Sequence, residues 1–86
     1  MRQENQDIEY RFGRAIRRRR RELDLSQEEL AERAELHRNY VSGIETGTRN
    51  PSLKNIEKLA KALDISVARL FSDYGVEVES ELRNDP

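Results

Sequence analysis

Hydrophobic residues recur every three or four positions in five stretches of the chain, which is the spacing of one face of an α-helix. The first stretch runs from about Ile8 to Leu23, the fourth follows Ser52 and the fifth follows Ser66. Serine is a typical residue immediately before a helix. The inward positions of these three stretches are Ile8, Phe12, Ala15, Ile16 and Leu23; Leu53, Ile56, Leu59, Ala60 and Leu63; and Val67, Leu70 and Phe71. The pattern predicts an all-α fold of five helices.

The second and third stretches are short and lie only a few residues apart. Ser26 and Glu29 have the spacing of a capping box, so the second helix is predicted to begin there and to run to about Ala34. The third runs from about Arg38 to Thr46, before a glycine that can end a helix in the left-handed conformation. The apolar positions of this pair are those that a tight helix-turn-helix must bury: Leu30, Ala31, Ala34, Leu36, Val41 and Ile44.

The chain of 86 residues has room for one small domain, which we place at residues 8–72, followed by an acidic tail at 73–86. The formal net charge is −1, but the tail holds five acidic residues and one arginine, which leaves +3 for residues 1–72. A basic face towards phosphates is compatible with this balance. The sequence has no cysteine, no apolar run at its start and none long enough to cross a membrane, so a cytoplasmic location is expected.

Four segments carry a resemblance to a known family: SQEELAERA (26–34), LHRNYVSGIETG (36–47), RNPSL (49–53) and LAKAL (59–63). Over roughly residues 12–71 the chain resembles the phage repressor and Cro type of helix-turn-helix regulator, or XRE-like family, and its third-helix segment especially resembles restriction–modification controller proteins. The resemblance implies a five-helix, lambda-repressor-like fold, a recognition helix in the major groove of double-stranded DNA, and a homodimer on a palindromic operator. The family's usual turn glycine is Glu35 here, so Glu35 is expected at positive φ, at a cost of about 1 kcal/mol.

The resemblance makes the third helix the element that reads bases, because the first exposed turn of such a helix reaches base edges in the major groove. Arg38 can form two hydrogen bonds with guanine, and Asn39 can form two with adenine. Ser42 is expected to point outward, beside a base or a phosphate. Tyr40 has two open interpretations, a DNA contact or packing at the helix edge. The alternative for Arg38 and Asn39 is a solvated surface position.

A second group of residues is expected to hold the DNA backbone. Gln27 begins the second helix, where free backbone amides and the helix dipole favour a phosphate, and the resembling family uses a glutamine there in that way. The other members are His37, Gly43, which permits close backbone approach, the loop residues Thr48, Arg49 and Asn50, and Lys54. His37 is the only histidine and has no second ligand nearby, so a metal site is not expected.

Five consecutive arginines, Arg17 to Arg21, lie in the first predicted helix. Consecutive helical residues point in all directions, so the run is not expected to form one patch. Arg20 falls on the apolar stripe and needs a partner, and the resembling family commonly pairs an arginine and a glutamate at the positions of Arg20 and Glu45. We therefore expect a structural ion pair between these two residues, with the other arginines mostly solvated or attracting DNA over a distance.

The C-terminal end carries more apolar residues than a domain of this size is expected to bury. A homodimer interface is therefore predicted there, formed by Ile65, Leu70, Phe71, Tyr74 and Val76. The alternative is that these residues, with Val78, fold back onto their own subunit or stay disordered.

These features together predict a transcription regulator that occupies an operator. The alternative function is an antitoxin-type protein-interaction module that also binds DNA, with the tail from Tyr74 onward folding on a partner. The sequence shows no glycine-rich phosphate loop, no nucleophile–base pair and no metal-ligand cluster, so an enzyme activity, a cofactor and a small-molecule ligand are not expected.

Overall fold

The computed structural model describes residues 7–76, which form five α-helices and no strand. The helices are α1 (Ile8–Glu22), α2 (Gln27–Ala34), α3 (Arg38–Thr46), α4 (Leu53–Ala62) and α5 (Val67–Asp73). In the packing, α1 lies against α3 and α5, α2 lies against α3 and α4, and α4 contacts α5. The predicted all-α, five-helix class is confirmed. None of the helices within residues 7–76 is long and apolar enough to cross a membrane.

Serine side chains fix where three of the helices begin. Glu29 N–H donates to Ser26 Oγ over 3.0 Å, and Ser26 N–H donates to the Glu29 carboxylate over 2.8 Å, which completes the predicted capping box. The hydrogen bond from the Ser26 backbone is the main reason that the pKa of Glu29 lies below its ordinary value. Ser52 and Ser66 accept in the same way, from the N–H groups of Asn55 and Arg69.

The core fills the space among the five helices. Its buried members are Phe12, Ala15, Ile16, Leu25, Leu30, Ala31, Ala34, Val41, Ile44, Leu59, Ala60, Ala62, Leu63, Leu70 and Val76. They include the helix-turn-helix positions predicted for burial, apart from Leu36, which is half-buried against this cluster. Burial of apolar surface is what holds the two short helices α2 and α3 in place, because isolated helices of this length are marginal in water.

Glycine at position 13 lets α1 and α3 approach each other closely. A Cβ atom on Gly13 would lie 2.2 Å from the carbonyl oxygen of Ile44 and 2.8 Å from that of Glu45. Both oxygens belong to the backbone, so no change of side-chain rotamer would relieve the contact. The first and third helices can therefore pack at this distance only with glycine here.

Three positions predicted to face inward are exposed. Ile8 is 47% exposed, Leu53 80% and Val67 36%. Each is the first residue of its helix, and helical side chains lean towards the helix N-terminus, so these three extend past the turn that contacts the core. The predicted inward orientation is wrong for them.

The C-terminal end of the described chain folds back onto the domain. Leu70 and Val76 are fully buried, and Val76 is fixed by hydrogen bonds from Arg11 Nη1 to its carbonyl oxygen (3.0 Å) and from its N–H to Phe71 (3.1 Å). Side chains buried in their own subunit have no surface left for a partner, so the prediction that Leu70 and Val76 form a dimer interface is wrong. The fold also continues to Val76, past the domain boundary expected at residue 72.

The other three residues of that predicted interface are partly buried. Phe71 stacks against Phe12 with ring centroids 5.7 Å apart, and Ile65 and Tyr74 pack on the same core. Val78 and the rest of the acidic tail from residue 77 lie outside the described residues.

Candidate nucleic-acid interface

The turn between α2 and α3 sets the direction of α3 relative to α2. Glu35 occupies the left-handed region at φ 60° and ψ 44°, as expected for a residue that stands where the resembling family usually has a glycine. The N–H of Leu36 donates to the Ala31 carbonyl over 2.9 Å and closes the turn. His37 then caps α3, with its Nδ1 accepting from the N–H of Asn39 over 3.1 Å. The His37 side chain thus caps the N-terminus of α3.

The outward face of α3 carries the residues predicted to read bases. Val41 and Ile44 are fully buried, which fixes the rotation of the helix. Arg38 and Asn39 are exposed on its first turn, and Ser42 is partly exposed. These three side chains are on the side of α3 that a partner molecule can reach.

The loop after α3 folds back against Gly43. The N–H groups of Thr48 and Arg49 both donate to the Gly43 carbonyl, over 2.9 and 3.2 Å. A Cβ atom on Gly43 would lie 2.6 Å from Cγ of Arg49. Thr48, Arg49 and Asn50 remain exposed, so the loop presents its polar side chains beside the outward face of α3.

Tyr40 links α3 to the loop and to α4. Its ring is half-buried against the core, and its hydroxyl oxygen accepts from Nδ2 of Asn55 over 3.0 Å. The Arg49 guanidinium lies 5.7 Å from the ring centroid, within the range of a cation–π contact. The ring therefore occupies the packed position that was one of its two predicted environments.

A buried carboxylate joins α1, α2 and α3 at the back of this surface. Glu45 is fully buried. Arg20 donates to both of its oxygens, from Nε over 2.6 Å and from Nη2 over 3.0 Å, so the predicted pairing of Arg20 with Glu45 is present. Gln27 donates from Nε2 over 3.0 Å and Arg17 from Nε over 3.4 Å, both to Oε1. We refer to these four residues as the Glu45 cluster.

The cluster keeps Glu45 ionised. Burial works against the charge and raises the pKa of the carboxyl group, but hydrogen bonds from Arg20, Gln27 and Arg17, with the charge of Arg20, outweigh it. The pKa of Glu45 consequently lies below its ordinary value. Because the Gln27 side chain is held in this cluster, the N-terminus of α2 is fixed relative to α3.

The arginine run of α1 divides into two groups. Arg19 donates from Nε to the Leu63 carbonyl over 2.9 Å and from Nη2 to that of Asp64 over 3.0 Å, which ties α1 to the end of α4. Arg17 and Arg19 are therefore engaged, and the expectation that they are mostly solvated is wrong. Arg17, Arg18 and Arg21 line one open concavity together with Arg14. Arg19 and Arg20 do not line this concavity, so the five arginines of the run do not form one patch, as expected; Arg17, Arg18 and Arg21 instead share one helix face with Arg14.

Comparison with protein families identifies the family of this chain. Residues 16–70 match the family model HTH_3, described as Helix-turn-helix. The chain belongs to this helix-turn-helix family. The control protein C.MunI from Mycoplasma sp is 48% identical to it over 68 residues, which are 78% of this chain and 92% of that relative.

Solved structures of similar proteins support the assignment of this chain to the helix-turn-helix family. The restriction–modification controller protein C.AhdI from Aeromonas hydrophila superposes with a TM-score of 0.72 at 51% identity, over 73% of this chain and 96% of that one. The protein C.Esp1396I bound to a 19-base-pair DNA duplex gives a TM-score of 0.74 at 33% identity, over 78% and 89% of the two chains. These three relatives are controller proteins, and one of them was solved on DNA.

Sequence reasoning missed three residues that shape this helix-turn-helix surface. Gly13 sets the distance between α1 and α3, Arg17 joins the Glu45 cluster, and Asn55 holds the Tyr40 hydroxyl. Gly13 had a readable signal, because glycine within a helix costs about 1 kcal/mol relative to alanine and so suggests a close approach. Arg17 and Asn55 had none, since their partners are distant in sequence. Within residues 7–76, no group of three His, Asp or Glu residues is placed to hold a metal ion.

Proposed function

We propose that this protein regulates transcription by binding a palindromic operator as a homodimer, in the manner of a restriction–modification controller protein. The observation that carries the proposal is the exposed pair Arg38 and Asn39 on the first turn of α3, whose direction is fixed by the helix-turn-helix. An α-helix fits the major groove, and its N-terminal residues then meet base edges. The 19-base-pair duplex bound by the similar C.Esp1396I supports a duplex DNA partner. Selection of bound sequences from a random duplex pool tests the proposal, which requires a two-fold symmetric motif.

Base reading is assigned to Arg38 and Asn39, with Ser42 beside them. Arginine presents two parallel donors that match the O6 and N7 acceptors of guanine, and asparagine matches adenine in the same way. Tyr40 contributes by holding its turn of α3 against Asn55 and Arg49.

Backbone binding is assigned to two places that flank α3. The first two N–H groups of α2, those of Gln27 and Glu28, have no partner within the helix, because Ser26 caps only Glu29. They and the helix dipole suit a phosphate. The second place is the exposed loop of Thr48, Arg49 and Asn50, with Gly43 and Lys54 close to it in the chain. His37 lies at the other end of α3, beside α2, and is assigned to the same group of contacts as the α2 N-terminus. These contacts would set the position of the protein on DNA, and α3 would supply the specificity.

Replacing Arg38 with alanine should weaken binding to the selected operator by about 1–3 kcal/mol and relax one base position, because a bidentate contact to guanine is lost. Fluorescence anisotropy on the selected and on a scrambled duplex measures both effects. The control is Arg69→Ala, which removes the same charge from an exposed position on α5. Equal losses on the two duplexes with Arg38→Ala would contradict base reading.

We place the dimer surface on the open apolar face formed by Leu53 and Val67, which lie together in one groove with Lys54 and Glu57. Leu53 is the most exposed large apolar side chain of the described residues. A two-fold contact places this patch of one subunit against the same patch of the other, so that Leu53 and Val67 of the two subunits meet. Such a dimer can bind half-sites about 34–36 Å apart, one turn of DNA.

Tyr74 and Val76 pack on their own domain, so no observation favours the antitoxin alternative.

Replacing Leu53 with lysine should convert a dimer into a monomer, because two unpaired charges would enter a two-fold apolar contact. Sedimentation at micromolar concentration measures the change. Ile8→Lys is the matched control, since Ile8 is also an exposed apolar residue at the start of a helix but lies outside this groove. A wild-type protein that is already monomeric, or a Leu53→Lys variant that stays dimeric, would refute this placement.

A further inference from the structure

The outer face of α1 forms a basic surface that the proposed contacts of α2, α3 and the loop do not use. Arg14, Arg17, Arg18 and Arg21 line one open concavity, bordered by Glu22 and Tyr74. We call the four arginines the α1 arginine face. They are spaced by three, one and three residues, and from Arg14 to Arg21 they span about 10.5 Å of helix. That length corresponds to about three base pairs along a DNA axis.

The positive charge of this face is only partly neutralised within the described domain. Glu22 lies 3.6 Å from Arg18 and 3.8 Å from Arg19, so its single charge is shared between two arginines. Arg14 and Arg21 are exposed and form no ion pair with any of residues 7–76, although Arg14 lies 5.8 Å from the centroid of the Tyr10 ring. Like charges three and four residues apart repel each other on a helix. A polyanion would remove this repulsion.

The α1 arginine face is continuous with the proposed backbone site at the start of α2. Arg17 Nε and Gln27 Nε2 donate to the same atom, Oε1 of Glu45. The arginine face therefore begins directly beside the N-terminus of α2, which is assigned to a phosphate. None of its residues belongs to the groove of Leu53 and Val67, so it stays accessible in the proposed dimer.

We infer that the α1 arginine face binds the phosphate backbone of DNA that flanks the operator, beyond the phosphates held by α2. The inference rests on the proposed function and extends its footprint. Guanidinium groups pair with phosphate oxygens through two parallel hydrogen bonds, and they do so without regard to base sequence. The flanking contact therefore increases the affinity for DNA and the dependence of that affinity on salt, whereas α3 determines which operator sequence is bound.

The test compares two duplexes, one that ends at the selected operator motif and one with ten further base pairs on each side. The variant is Arg14→Gln with Arg21→Gln, since both side chains are exposed and glutamine keeps a similar helix propensity. Lys58→Gln with Lys61→Gln removes two charges from α4 and serves as the matched control. Dissociation constants are measured from 50 to 200 mM salt, and thermal unfolding checks that each variant is folded.

The wild type and the lysine control should bind the longer duplex about tenfold more tightly at 50 mM salt. Their log–log salt slope should be steeper by about 3.6, because Arg14 and Arg21 of both subunits each contribute about 0.9 through one phosphate contact. The arginine variant should lose most of this difference and bind the short duplex as the wild type does.

An arginine variant that keeps the full difference overturns the inference, as does a wild type with no preference for length. If deletion of residues 77–86 tightens binding to both duplexes and the arginine variant keeps its length preference, the face holds the acidic segment of its own chain instead. A wild type that binds neither duplex refutes the proposed function itself.

Discussion

Replacing Glu45 with alanine should lower the free energy of unfolding by about 3 kcal/mol, because removing one partner of a buried ion pair leaves the other charge without compensation. Arg20 is the residue left behind: its side chain is only 11% exposed, and it would keep one hydrogen bond, to the Leu25 carbonyl at 2.8 Å. Arg17 and Gln27 would lose the same acceptor. Urea unfolding followed by circular dichroism at one fixed protein concentration measures the loss. An unchanged midpoint would mean that the Glu45 cluster does not hold the three helices together.

Glu45→Gln is the matched variant for the charge, and its effect should depend on pH. The pKa of Glu45 is lowered in the folded protein, so the carboxylate stabilises the fold fully above its unfolded pKa of about 4.3 and loses that contribution as the pH falls through the folded value. The wild type should therefore be more stable than Glu45→Gln by a constant amount above about pH 5, and this difference should narrow below about pH 4.3. Glu29 titrates in both proteins and cancels from the comparison. A difference that stays constant down to pH 3 would contradict the role of the charge.

Replacing Gly13 with alanine should destabilise the protein by about 3 kcal/mol, at the upper end of the cost of overpacking a core. The added Cβ would meet two backbone oxygens, at 2.2 and 2.8 Å, so α1 and α3 would have to move apart. Movement there would also lengthen the contacts between Arg20 and Glu45, which connect the same two helices. The measurement is thermal or urea unfolding of the variant beside the wild type.

The sign of the Gly13 effect makes this test decisive. Alanine is intrinsically better than glycine inside a helix by about 1 kcal/mol, so without the close approach the variant would be more stable than the wild type. Gly75→Ala is a useful comparison, because Gly75 has a φ of 82° but open space where a Cβ atom would be added. That variant reports the cost of positive φ alone, about 1 kcal/mol. A Gly13→Ala protein as stable as the wild type would rule out a tight contact between α1 and α3.

Local signals in the sequence were enough to predict the helix-turn-helix itself. The capping box of Ser26 and Glu29 marked the start of α2, and α3 has the predicted bounds of Arg38–Thr46. The positive φ of Glu35 was predicted from the resemblance instead, since the family usually has a glycine at this turn position. The exposed positions of Arg38 and Asn39 follow from the burial of Val41 and Ile44 on the opposite face. Apart from the conformation of Glu35, these features depend on neighbours within a few residues.

The sequence by itself thus determined the five helices, their caps, most of the core and the face of α3 that points outward. Only the tertiary structure decided which apolar residues remain for a partner: Val76 fills the core, whereas Leu53 lies outside it. It also decided that Gly13 meets the backbone of α3 and that Arg17 and Gln27 share one oxygen of Glu45. Periodicity identifies the apolar face of a single helix, but it does not show how far a neighbouring helix extends along that face. That distance depends on contacts between residues far apart in the chain, which local spacing does not encode.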